Sequence, residues 1–97
     1  MKLYLITAPC DFGGWDTYDS AVVSAKSLAD AKEINPSKCV THVKNGRWMG
    51  TYKNGGEYDQ DTCSGWVRYS EIEKVKAKYL GETKMERGVV LVSFNAG

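Results

Sequence analysis

His42 is the sole imidazole in the chain, and it follows Cys39 at C-x2-H spacing, which is half of a structural zinc site. Cys10 and Cys63 would complete four ligands on paper. Zinc centres of this kind, however, use two close ligand pairs, each folding a turn around the metal, and this sequence offers one pair. The same residues could form a thiol–imidazole dyad, which needs a low-pKa thiolate beside a ring held by a third group. If Cys39 and His42 share a strand, their odd separation puts them on opposite faces, so they do not meet. Glu71 and Glu73 flank Ile72 as solvent-facing polar positions do and carry no acid–base signature. The residues therefore assign no catalytic group, metal or cofactor, and the expectation is a non-enzyme.

A second group of residues is suited to binding. In "CDFGGWDTYD", Asp11, Asp16 and Asp19 surround two glycines. A calcium loop would need closely alternating oxygens and a closing bidentate glutamate, and neither is present. Gly13 and Gly14 also lack the following helix and lysine of a phosphate loop. One reading is a plain strand connection. The other is a recognition loop with Phe12 and Trp15 as anchors beside Asp16, because a few aromatic side chains commonly dominate a protein interface. Farther on, Trp48, Tyr52, Tyr58 and Trp66 are interspersed with Glu57, Asp59 and Asp61. That is either a solvated acidic loop or a surface that would favour a basic partner. An alternative ligand is a nucleotide signal, with Lys44, Arg47 or Arg68 on phosphate and a tryptophan or tyrosine stacking on the base. A homo-oligomer would help to build such a pocket in so small a chain.

These residues need a scaffold, and local patterns outline one. "KLYLITA" (2–8) reads as a central strand, with Tyr4 and Ile6 on one face and Leu3 and Leu5 on the other, and it stops at Pro9. "YDSAVVSA" (18–25) reads as a second strand. Ser27 and Asp30 make a weak capping box before Leu28, Ala31 and Ile34, and Asn35-Pro36 ends that short helix. Asn45-Gly46 signals a type I′ hairpin that sets Val43 opposite Trp48 and His42 opposite Met49. "KNGGEYDQDTCSG" (53–65) lacks periodicity and reads as an exposed loop. A turn or short helix at 70–73 then leads to a strand over 74–81. "GVVLVSFNA" (88–96) is a further strand, and "ETKMER" is placed to close a hairpin between the last two. The expected architecture is α+β: a small antiparallel sheet of about four to six strands in β-β-α-β-hairpin-β-β order, with one short helix on a face.

With 97 residues, there is room for a single domain spanning 1–97. Hydrophobic residues at 42% and charged residues at 26% fit a globular chain. A net charge of +1 without a basic stripe disfavours nucleic acid and membrane surfaces as partners. No apolar run has the length of a membrane span, and the opening residues lack a cleavable leader pattern. An odd count of three cysteines fits reduced thiols, so the expected compartment is the cytoplasm.

Three stretches together, "WDTYDSAVV" at 15–23, "THVKNGRWMGTY" at 41–52 and "RGVVLVSFNAG" at 87–97, resemble a family of small bacteriophage- and prophage-encoded proteins, as does "GWVRYSEIEKVKAKYLGE" between them. The resemblance implies no catalytic residues. It implies a phage accessory protein that binds and inhibits a host bacterial protein, anti-CRISPR-like and other anti-defence roles included.

Overall fold

The computed structural model describes residues 1–95. Seven strands form two antiparallel sheets. The larger sheet has the order β6-β1-β2-β7, from strands β1 (Lys2–Thr7), β2 (Thr17–Ala25), β6 (Lys76–Glu82) and β7 (Gly88–Asn95). The smaller runs β3-β4-β5, from His42–Lys44, Arg47–Thr51 and Glu57–Asp59. Helix α1 (Leu28–Lys32) and a 3-10 helix (Tyr69–Lys74) join the layers. The α+β class and antiparallel pairing are as the sequence implies.

The core forms where the apolar inner face of β1 and β2 meets these elements. Ile6 lies opposite Ala21 and Tyr4 opposite Val23, and all four are buried. Ala31 and Ile34 from the helical region, Val75, and Trp48 and Trp66 from the second layer close over them. The helix is short because its stability comes from docking. Its start is nonetheless well made: Asp30 N donates to Ser27 Oγ at 3.1 Å, and Lys26 N donates to Asp30 Oδ2 at 2.9 Å. The Ser27 hydroxyl satisfies one amide donor that the first turn leaves free, and the Asp30 carboxylate ties down the residue before the cap. Asn45-Gly46 turns at φ +54° and +71°, and the register pairs Val43 with Trp48 and His42 with Met49, as read from the sequence.

Three expectations are corrected. β6 and β7 do not form a hairpin; they occupy opposite edges, each completing one side of the β1–β2 pair. Their linker crosses the end of the sheet, held by Ser24 Oγ donating to Met85 O at 3.0 Å and by Arg87 on Asp30 at 2.9 Å. The 53–65 stretch is not wholly an exposed loop: Glu57–Asp59 pair with β4, and Asp61 and Ser64 are buried. Three residues are too few for periodicity to register. That added strand raises the described count to seven, and with the β3–β4 hairpin it forms a second sheet where one was expected. The 3-10 helix followed by β6 matches the turn-then-strand reading of 70–81. Ala96, read as the end of the last strand, lies outside the described residues. Among the described residues no helix is long and apolar enough to cross a membrane.

Candidate functional site

An open groove of about 860 Å³ lies between β7 and the segment that follows α1. Ile34, Pro36 and Val40 line one side, Val89 and Val92 the other, and Trp48 and Tyr18 the floor. Glu33, Lys38, His42 and Arg87 supply polar atoms to the lining. The wall contributed by β7 follows from register: Val92 lies opposite Ala21 and Val89 opposite Val23, so both share the sheet's inner face. Neither is covered, at 40% and 41% exposure.

The opposite wall has no regular structure, and side-chain turns hold it. Asn35 Oδ1 accepts from Ser37 N at 2.8 Å, and Asn35 Nδ2 donates to Ser64 Oγ at 3.1 Å. Ser37 Oγ accepts from Cys39 N at 3.2 Å. Two local turns and one bond to Ser64, 29 residues on, substitute for a ladder that Pro36 cannot join. Cys39 then presses on Gly50 of β4, where an added Cβ would lie 2.5 Å from the Cys39 carbonyl oxygen. Only glycine lets the two backbones come this close.

The floor rests on a polar staple. Trp48 Nε1 donates to Val67 O at 2.8 Å, and its ring meets Tyr69 edge-on with centroids 5.1 Å apart. Asp61 Oδ1 accepts from Trp48 N at 3.1 Å and from Tyr69 N at 3.0 Å, satisfying donors from two elements. Tyr69 donates its hydroxyl hydrogen to Glu33, and the neighbouring carboxylate raises the phenol's pKa above its usual value, with burial contributing.

The structure separates the partner-binding residues nominated from sequence. Trp48, Trp66 and Asp61 are buried and belong to the interior. The chain closes a second layer over them, an event no local pattern announces. Phe12 is half-buried, edge-on to Trp66 at 6.4 Å. Trp15 is 75% exposed, and Asp16 beside it is exposed at φ +60°. Tyr52 is exposed and packs on half-buried Tyr58, their centroids 4.5 Å apart. Glu57 accepts from Lys44 Nζ at 2.7 Å and sits 3.0 Å from His42 Nε2. The Lys44 ammonium holds the Glu57 carboxyl below its usual range, opposed by desolvation and assisted by His42. Asp59 is lowered in the same sense by its hydrogen bond from Arg47.

The phosphate candidates disperse as well. Lys44 and Arg47 face carboxylates of the small sheet, Arg68 is exposed beside the 3-10 helix, and none of the three lines the groove. All three thiols are free and exposed, with Cys39 at the groove, while His42 Nδ1 lies 2.8 Å from Thr41 Oγ1. Among the described residues no three His, Cys, Asp or Glu side chains are grouped as metal ligands.

Sequence reasoning missed the groove walls: Ile34–Thr41 and Val89–Val92. A usable signal was present in β7, whose run of apolar residues shows no polar alternation although the strand lies at an edge. Comparison with protein-family models, curated proteins and solved structures finds no significant match for this chain.

Proposed function

We propose that the domain acts by binding and not by bond making, with the groove between β7 and the 34–41 segment receiving an apolar segment of a partner protein. The setting, taken from the sequence resemblance, is that of a phage accessory protein inhibiting a host bacterial protein in the cytoplasm, an antiviral defence component being the favoured target class. The observation that supports this reading is the groove's composition: a β7 wall whose Val89 and Val92 stay open to solvent, facing buried Ile34 and Pro36, with Lys38, His42 and Arg87 among its polar groups. Uncovered apolar surface gains roughly 25 cal/mol per Å² when water is displaced from it, so a partner side chain there adds affinity directly. Firmly held walls also reduce the ordering entropy that binding must overcome.

The exposed Cys39 thiol provides a test at the groove itself. Single-cysteine chains that keep Cys39 or Cys10 are labelled with a photo-crosslinker and illuminated in lysate of the bacterial host. A discrete adduct from Cys39, absent from Cys10, competed by unlabelled protein and abolished by Val92→Glu, supports the reading. Absence of any saturable adduct from Cys39 overturns it.

The groove's volume favours a second reading, since small-molecule clefts span roughly 300–1,000 Å³. A nucleotide there would meet Lys38 and Arg87 in place of Lys44, Arg47 and Arg68. An ultraviolet absorbance band in the filtrate of denatured, freshly purified protein would support this reading, and a blank filtrate would remove it.

A further inference from the structure

The two edges of the larger sheet differ in chemistry. β6 carries Lys76, Lys78 and Glu82 along its length. Charged side chains of this kind, lysines above all, keep an open edge from pairing with another chain. β7, "GVVLVSFN", has no charged residue and no proline. Its Val89, Val90, Leu91, Val92 and Phe94 are between 37% and 67% exposed. Its pairing with β2 shifts register twice, once beside Val90, the extra residue in β7, and once at Asp19, the extra residue in β2, so Leu91–Asn95 itself carries no bulged residue. Beyond β2, no described element pairs with this strand, so its outward N–H and C=O groups form an unoccupied ladder.

We propose that β7 pairs antiparallel with β7 of a second copy, joining two four-stranded sheets into one of eight. A two-fold axis perpendicular to the sheet makes the contact isologous, so it closes at the dimer. Several features favour a second copy as the occupant. An uncharged strand meets itself without like-charge repulsion, whereas a charged partner would gain nothing from it. The axis also preserves faces. Leu5, Val22 and Leu91 lie opposite one another across three strands on the outward face, and pairing makes that row continuous with its copy. On the inward face, the valine wall of each groove is extended by the partner's strand. Edge pairing is carried by the backbone ladder, flanked on both faces by the exposed apolar side chains. The contact is small by the standard of stable interfaces, so the dimer forms only at high protein concentration. The contact uses the strand's edge and does not depend on the groove having a ligand.

Light scattering on the full chain across micromolar to millimolar concentrations is the test. The expected mass rises from 10.8 kDa to twice that value and stops there. Leu91→Lys sets two like charges on one face of adjoining strands and holds the mass at 10.8 kDa, with an unchanged circular dichroism spectrum. Leu80→Lys, on the β6 edge, leaves the dimer intact. Hydrogen exchange of the wild-type chain provides a readout that requires no variant: β7 amides slow as concentration rises. A monomeric mass throughout, growth beyond the dimer, or β7 amides exchanging equally at low and high concentration would each overturn the proposal.

Discussion

Gly50→Ala isolates the contact that fixes the groove's irregular wall. The added methyl would lie 2.4 Å from Tyr58 Cζ, 2.6 Å from Tyr58 Cε2 and 2.5 Å from the Cys39 carbonyl oxygen. Gly50 has an ordinary negative φ, so the substitution carries no backbone penalty and by itself would stabilise the chain by about 0.4–1 kcal/mol through the unfolded state. The clash opposes this. Tyr58 can swing away only by abandoning Tyr52, and the Cys39 oxygen belongs to a backbone tied by Ser37 and Asn35. Overpacking costs about 1–3 kcal/mol, and a methyl this close to both a ring and a tethered backbone oxygen takes the upper part of that range, about 2–3 kcal/mol, which outweighs the entropic gain. With a urea slope of roughly 1 kcal/mol per M for a domain this small, the midpoint falls by about 1–2 M. Gly50→Ala combined with Tyr58→Ala removes the ring clash but not the carbonyl clash, so the Tyr58 change should cost less in this background than alone. Urea titration followed by tryptophan fluorescence measures both. A Gly50→Ala midpoint equal to or above wild type would refute the claim that two backbones meet there at glycine distance.

Asp61→Ala leaves two amide donors, those of Trp48 and Tyr69, without their acceptor and should lower stability by about 2–4 kcal/mol, while Asp61→Asn keeps an acceptor oxygen and recovers much of it; chemical denaturation of the pair checks the order. Desolvation works to raise the pKa of Asp30, but the Lys26 amide and the Arg87 guanidinium outweigh it and hold the carboxyl below its usual range. The group therefore stabilises the fold above the ordinary aspartate pKa, and its contribution, about 0.5 kcal/mol, is lost as pH falls through the lowered value. Melting temperatures at pH 7 and pH 3 should accordingly drop less for Asp30→Asn than for wild type. Trp15→Ser removes a ring that is 75% exposed and should change stability by no more than about 0.5 kcal/mol; if it abolishes the Cys39 adduct, the 12–16 loop docks with the groove.

Local signals translated faithfully. Asn45-Gly46 set the β3–β4 register because both residues must adopt positive φ, and few other dipeptides do so without strain. Ser27 and Asp30 marked the helix start for the same kind of reason, since each bond reaches only three or four residues along the chain. The nominated recognition residues depended on a different question: which side of a strand faces the core. For Trp48 this is decided by Val67 and Asp61, 19 and 13 residues away, and for Glu57 by Lys44 and His42 across two strands. Aspartate in a glycine-rich stretch reads as solvated. Asp61 is buried because two backbone donors converge on it, and neither is visible as a pattern in the sequence.

β7 shows why strand identity and strand position are separate problems. A run of β-branched and aromatic residues is the composition of a strand buried on both faces, and taken alone it predicts the centre of a sheet. Here β1 and β2 already hold the centre, because Ile6 and Val23 are the positions that α1 and the second layer can cover. The linker crossing at Ser24 and Arg87 then delivers β7 to the far edge, beyond the reach of that cover. A strand composed like an interior one is thereby left at a margin where lysines would ordinarily stand, as they do on β6. The mismatch between composition and position accounts for both the open groove on its inner face and the unpaired ladder along its side. Leu91 shares the outward face with Val22 and Leu5 yet also borders the groove, so comparing Leu91→Lys with Val92→Glu, which lies on the inner wall, separates the two.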